Sequence, residues 1–365
     1  QLTLRVPAYR VDVQRPCDVV EDILRIYGYN NVEIPTSLKS SLTTKNDCDV
    51  SQRLQNLVSE QLIGEGFNEI LNNSLTREAY YSALKTHAPE HLVHLLNPLS
   101  SDLNVMRQTL LFGGLESIAH NVNRKEGNLR FFEFGNCYVY DAEKRNAEKV
   151  LAPYSEELHL GLWLTGKRVM DSWAHANEDS SIYELKGYAM NVLSRLGVPL
   201  GGLLIKEGTN DIFSKSLSVE DRNGKVCLEL GLVSKALLVA CDVEQEVYYA
   251  DFNWSVLMKK LPKKEVSYTE LSKFPAVRRD LALLLDVSVP FAEVERVARA
   301  CEKKLLRKVE LFDVYEGDRL PEGKKSYAVA FTLSDETKTM NDKQTEAIMS
   351  KIIKQLQQQL GAELR

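Results

Sequence analysis

The chain has 365 residues, 44% of them hydrophobic and 27% charged, with a net charge of −5 at neutral pH. That length sustains two or three domains with buried cores, and the acidic balance carries no global signature of nucleic-acid binding, although a basic patch on one domain is compatible with it. No apolar run approaches the ~20 residues that cross a bilayer, no secretory leader opens the chain, and the start "QLTLR", without Met, reads as a fragment of something longer.

"LTLRVPAYRVDV" alternates apolar and polar residues and reads as extended, broken at Pro7. "RPCDVVEDILRIYG" reads as a helix: Asp18 and Glu21 stand at capping-box spacing, Gly28 is a C-terminal stop, and Val19, Ile23 and Ile26 form a face to bury. A polar linker, "TSLKSSLTTKND", precedes an amphipathic helix with Leu54, Leu57, Val58 and Leu62 on one face. "EILNNSL" reads as a strand. A further helix turns Leu111, Leu115, Ile118 and Val122 inward. "NLRFFEFGNCYVYD" and "ELHLGLWLTG" are strands rich in aromatic and β-branched residues. A helix follows near "SSIYELKGYAMNVLSRLG", then a hairpin at Asn223-Gly224. "EVYYADFNWSVL" is a strand running into a short helix. The middle of the chain is thus α+β, built on an antiparallel sheet.

Lys259, Lys260, Lys263 and Lys264 surround Pro262 in a boundary linker. Beyond it come strand "RRDLALLLD", helix "PFAEVERVARACEKK", strands "KVELFDVYEG" and "KSYAVAFTLS", helix "NDKQTEAIMSKIIKQLQQQLG" and a last strand "AELR". That β-α-β-β-α-β order is a ferredoxin-like split βαβ unit. It carries a small basic excess, against an acidic excess elsewhere.

Four carboxylates, Asp12, Asp18, Glu21 and Asp22, lie close together. They suit helix-start chemistry, with Arg10, Arg15 and Arg25 near enough to pair with them. They equally suit a hard cation such as Mg²⁺, which takes oxygen ligands. His87, His91 and His94 have a spacing that would serve zinc on an unbroken helix, but Pro89 interrupts it, which favours a surface loop or a small helix. "IGEGF" and "FGGLE" match no phosphate-loop pattern and read as a helix stop and a tight turn. The six cysteines, Cys17, Cys48, Cys137, Cys227, Cys241 and Cys301, form no CxxC pair and read as reduced thiols of a cytosolic protein. In the last unit Lys273, Arg278, Arg279, Lys324 and Lys325 flank strands bearing Phe312, Tyr315, Tyr327 and Phe331, with Phe274 just before them. A four-stranded sheet with aromatics and peripheral cations is an RNA platform through stacking and phosphate contacts, while the simpler reading puts those aromatics in the core.

With these residues in view, nearly the whole chain resembles the C-terminal part of the bacterial phenylalanyl-tRNA synthetase β subunit. "YRVDVQRPCDVVEDILRIYGYNNVEIP" resembles the end of its B5 module, residues 1–38. "LNPLSSDLNVMRQTLLFGGLESIAHN" and "FFEFGNCY" resemble its class II synthetase-like core, residues 39–266. "KFPAVRRDLALLLD", "LFDVYEG", "KSYAVAFTLSD" and "GAELR" resemble its ferredoxin-fold anticodon-binding domain, residues 267–365. The resemblance implies Mg²⁺ shared with an α subunit at Asp12, Asp18, Glu21 and Asp22, the last being Asp where the family usually has Glu. It implies an (αβ)₂ assembly in the cytoplasm that ligates phenylalanine to tRNA-Phe with ATP. Activation belongs to the α subunit, and no editing module is expected in this segment. A working class II core needs an arginine in its second motif, and here Phe131 stands at that place. "VYYADFNWSVL", at the place of the third motif, has no arginine. Transfer chemistry needs positive charge where negative charge develops. The implied role is therefore scaffolding and tRNA binding, with no catalytic residue on this chain and no need of DNA or membrane. Two other readings are a catalytically dead paralogue acting as a binding module and an independent metal-dependent enzyme at the Asp12 cluster.

Overall fold

Proline at the first helical position starts helix α1, Pro16–Tyr27, and Gly28 at φ 92° stops it. The residues before it form turns rather than the expected strand: the Arg10 N–H donates to the Pro7 carbonyl (3.0 Å) and the Val13 N–H to that of Arg10 (3.2 Å). Among the described residues no strand pairs with them. The expected buried face of α1 is also absent, since Ile23 and Ile26 are solvent-exposed and the helix buries no residue. This computed structural model describes residues 3–37, 40, 47–200, 203–221, 223–259, 261, 268, 270–317 and 319–365, with backbone only at 47 and 48. Most of the two linkers, including Lys260, Lys263 and Lys264, lies outside the described residues. The chain divides into two units, 1–263 and 264–365.

The first unit continues with α2 (Asp47–Gly64), β1 (Asn68–Glu69), β2 (Leu75–Thr76), β3 (Val93–His94), β4 (Val105–Met106), α3 (Leu111–Val122), β5 (Leu129–Tyr140), β6 (Tyr154–Thr165), β7 (Lys167–Val169) and β8 (Glu178–Asp179). Then come α4 (Ile182–Arg195), β9 (Leu204–Glu207), β10 (Phe213–Glu220), β11 (Val226–Val233), α5 (Lys235–Ala240), β12 (Val247–Asn253) and α6 (Trp254–Met258). Seven strands form one sheet in the order β1-β5-β6-β12-β11-β10-β9, antiparallel except for the β1–β5 pair. Side chains of a strand alternate between faces. Leu160, Leu162 and Leu164 of β6 therefore meet Val58 and Leu62 of α2 and Leu185 and Val192 of α4. Trp163, on the other face, packs with Leu111, Leu115 and Ile118 of α3. The expected "EILNNSL" strand does not form as one element: Glu69 ends β1, Leu75 opens β2, and the residues between them are not in a strand. Gly113 and Gly114 lie inside α3 rather than in a turn, and glycine is needed there because a side chain at Gly113 would meet Asn72 at 2.8 Å and one at Gly114 would overlap the Trp163 indole.

The second unit runs β13 (Val277–Asp286), α7 (Phe291–Cys301), β14 (Leu306–Tyr315), β15 (Lys324–Leu333), α8 (Asp342–Leu360) and β16 (Glu363–Leu364). Its sheet has the order β14-β15-β13-β16, entirely antiparallel. Both helices cover one face, with Val294, Val297, Ile352 and Leu356 against Leu283, Leu285, Val329 and Phe331. Asn341 caps α8 by accepting from the Gln344 N–H (2.8 Å), and Gly361 at φ 62° ends it.

Candidate functional site

Among the described residues, the helices of the ferredoxin-like unit cover only one face of its sheet. On β13, Leu281, Leu283 and Leu285 turn to the helices, so Arg278, Asp280, Ala282 and Leu284 turn to the open side. Arg279 falls on the helix side and reaches Asp342 at the start of α8 (3.3 Å). The two adjacent arginines therefore cannot share one face. On β14 the pairing shifts between Leu311 and Asp313, and this bulge leaves Phe312 53% exposed, with Tyr315 37% exposed beyond it. Arg278 lies over the Phe312 ring at 5.3 Å and stays tied to Asp280 at 2.9 Å. Arg365 lies over the Tyr315 ring at 5.8 Å. Tyr315 stands opposite Ser326, and Ala282 opposite Ala328, so small side chains floor the space beside the rings.

The other sequence-derived candidates are scattered. Lys325 is buried, its ammonium donates to the Val287 carbonyl (2.7 Å), and it lies 4.7 Å from the Tyr327 ring. As placed it supports the core rather than a phosphate. Lys324 is half-buried opposite Asp286, and Lys273 is exposed ahead of β13. Tyr327 and Phe331 are core residues. Arg365 escaped the reading of the sequence, because nothing local says that the chain's last residue returns over β14.

The acidic cluster has partners of its own. Arg10 Nη2 sits 3.0 Å from Asp12 and 2.9 Å from Asp22, so two of the four carboxylates converge on one cationic atom. Asp18 is not the helix cap expected: it occupies the third helical position and accepts from the Gln14 and Arg15 backbone N–H groups (3.0 and 2.8 Å). Those bonds pull its carboxyl down to about 2. Glu21 completes no capping box and pairs with Arg25 at 2.6 Å. Four carboxylates have the right chemistry for Mg²⁺, and Asp12 and Asp22 both reach Arg10, while Asp18 and Glu21 are engaged elsewhere. Among the described residues no three metal-ligating side chains gather on one point. The histidines separate too: His91 Nδ1 lies 2.9 Å from the Tyr140 carbonyl, and His94 is in β3.

On the central sheet, Glu133, Gly161, Asp251 and Glu229 stand in one cross-strand row and share a face. Each carboxylate is answered differently. Arg107 reaches Glu133 at 2.7 Å, His159 reaches Asp251 at 2.7 Å, and Asn210 donates to Glu229 at 2.8 Å. Burial raises the Glu229 carboxyl despite Asn210. Burial opposes a charge on His159, but Asp251 outweighs it and the imidazole is raised. Phe131 is buried.

Residues 34–254 match the phenylalanyl tRNA synthetase beta chain CLM domain, 272–365 the ferredoxin-fold anticodon binding domain, and 1–29 the tRNA synthetase B5 domain. The phenylalanine–tRNA ligase beta subunit of Bacteroides fragilis is 65% identical over 364 residues, covering 100% of this chain and 44% of that protein. The protein of the same name from Porphyromonas gingivalis is 52% identical over the same shares. The chain thus spans less than half the length of these relatives. A solved pyrrolysyl tRNA synthetase from Desulfitobacterium hafniense covers 57% of this chain and 68% of its own at 15% identity and a TM-score of 0.42, a level from which nothing carries over.

Proposed function

The chain belongs to the phenylalanyl tRNA synthetase beta chain family, and from that premise we propose that it is the part of a phenylalanine–tRNA ligase that grips tRNA-Phe and scaffolds a catalytic α subunit. The ligase would work in the cytoplasm as an (αβ)₂ assembly, with ATP consumed on the α subunit. The observation that carries this reading is the open sheet face of the ferredoxin-like unit. Phe312 and Tyr315 offer ring faces to unstacked bases, while Arg278 and Arg365 offer charge to the phosphates beside them. Ala282 and Ala328, paired across β13 and β15, leave room for bases against the strands.

The central unit would act as scaffold. Buried Phe131 stands where a working core of this class needs an arginine, which supports a role without nucleotide chemistry. Asp12, Asp18, Glu21 and Asp22 are the residues that would hold Mg²⁺, in competition with Arg10. The ion would supply a charge tie between this segment and the partner subunit.

Filter binding of tRNA-Phe at several salt concentrations tests the grip: affinity should fall as salt rises and fall further in Tyr315→Ala. ATP–pyrophosphate exchange by the purified chain tests the division of labour, since robust exchange without a partner would end it. The second reading, a dead paralogue without an α partner, predicts that the full-length protein purifies alone. A stoichiometric second subunit excludes it.

A further inference from the structure

Two glycines bracket the connection from β14 to β15, and they are glycine for opposite reasons. Gly323 has a left-handed backbone, φ 76°, and among the described residues nothing lies within 4 Å of where its Cβ would be. Gly317 is not among the glycines of positive φ, so its backbone suits any residue. Its constraint is a side chain. The three atoms nearest to the place of its Cβ all belong to Tyr315: the hydroxyl oxygen at 2.8 Å, Cζ at 3.0 Å and Cε1 at 3.5 Å.

Tyr315 is a partly exposed ring beside the open sheet face. An exposed tyrosine turns about two side-chain bonds, and ordering such a ring on binding costs affinity. Here the ring is held on two sides. Arg365 lies over its face at 5.8 Å, and Arg365 is itself fixed, because its N–H donates to the Ala282 carbonyl of β13 at 3.1 Å. The hydroxyl end lies against Gly317, whose carbonyl accepts from the Leu320 N–H at 3.0 Å, so that support is a closed turn. A methyl group at position 317 would take the space of the hydroxyl and push the ring aside. Tyr315 is not part of the buried core of this unit, so the ring can yield without disturbing the packing of the helices on the sheet. The fold then keeps its stability while the ring loses its place.

We infer that Gly317 is a positioning residue for tRNA binding: having no side chain, it lets Tyr315 stand in one place beneath Arg365 before a base arrives. The inference rests on the open-face reading above and adds to it the residue that sets one of the two rings. Stacking on a ring already in place avoids the cost of ordering it at the moment of binding. Phe312 is set differently, by Arg278 over its ring at 5.3 Å, and Arg278 is tied to Asp280 at 2.9 Å. Gly317 therefore acts on Tyr315 and not on Phe312.

The test uses the full-length β subunit with its α subunit, filter binding of tRNA-Phe at one fixed salt concentration, and urea unfolding of each variant. Gly317→Ala should raise the dissociation constant about three- to tenfold, the scale of having to order one aromatic side chain on binding. Its urea midpoint should match or slightly exceed that of wild type, since alanine narrows the unfolded ensemble. Tyr315→Ala should raise the dissociation constant about fivefold or more. Adding Gly317→Ala to Tyr315→Ala should change nothing further, whereas adding it to Phe312→Ala should have its full effect. Wild-type affinity in Gly317→Ala, with weakened binding in Tyr315→Ala, would overturn the inference and leave the open-face reading intact. An equal effect of Gly317→Ala with and without the Tyr315 ring would overturn it too, because the glycine would then act through something else. A lowered urea midpoint in Gly317→Ala would do the same, by making the glycine a support of the fold. Wild-type affinity in both Tyr315→Ala and Phe312→Ala would remove the open-face reading and this inference with it.

Discussion

Arg107 Nη1 lies 2.7 Å from Glu133 Oε1, with the arginine side chain 6% and the glutamate 0% exposed, on the sheet face where α3 packs. Glu133 also accepts from the Asn72 backbone and side chain (3.3 and 2.8 Å), and Arg107 also donates to the Asn136 carbonyl (2.9 Å). The pair therefore ties the segment before α3 to the centre of β5. Removing one partner strands a buried charge, which costs about 3–5 kcal/mol. Arg107→Met should lose that much in urea unfolding, and Arg107→Met with Glu133→Leu should recover a large part of it. A single variant within 1 kcal/mol of wild type would show that the pair bears little of the fold.

The aromatic residues of the second unit should separate by experiment into two classes. Tyr315→Ala and Phe312→Ala each remove an exposed ring and should cost about 1–3 kcal/mol in tRNA-Phe affinity with little loss of stability. Phe331→Ala removes a core ring and should cost about 3–5 kcal/mol of stability. Loss of tRNA affinity in none of the exposed-ring variants would remove this face from the interface.

Of the two adjacent arginines, only Arg278 faces the same side as Phe312. Arg278→Ala should reduce the salt slope of tRNA binding by about 1. Lys325→Met, whose ammonium is spent on Val287, should leave that slope unchanged. Equal slope changes for both would mean that Lys325 leaves its buried position on binding.

His159 gives stability a pH dependence. Its pKa is raised from 6.5, burial opposing the charge and Asp251 outweighing it, with Glu157 adding to the rise and Arg107 reducing it. A raised folded-state value means the stabilisation is complete below about pH 6.5 and is lost as pH climbs through the folded-state value. The stability of wild type over His159→Gln should therefore shrink from pH 6 to pH 8. A constant difference across that range would contradict the Asp251 contact.

Arg10 and a divalent ion compete for Asp12 and Asp22 in the proposed arrangement. Arg10→Ala should bind Mn²⁺, followed by electron paramagnetic resonance, more tightly than wild type. Weaker or equal binding would mean that Arg10 does not stand in the ion's way.

Much of this architecture was legible along the chain because its signals are local. Pro16 and Gly28 bracket α1, Asn223-Gly224 sits in the β10–β11 hairpin, and Leu281, Leu283 and Leu285 announce which way β13 faces. The period-2 rule even separates Arg278 from Arg279 once β13 is recognised. The exposure of Ile23 and Ile26 was not legible, because an apolar stripe states a need for burial and not whether a partner is present. The reason for glycine at 113 and 114 was hidden too, since it lies in Asn72 and Trp163, about forty and fifty residues away in sequence.

The sequence alone settled the order of most of the longer strands and helices from α2 onward, the resemblance to a β-subunit family, and the supply of acids, bases and aromatic rings. Those depend on propensities and spacings over a few residues. Tertiary structure decided which carboxylate meets which cation, which rings leave the core at the β14 bulge, and that Arg365 returns over Tyr315. Such pairings depend on strand register and chain return, which bring together groups that no local pattern connects.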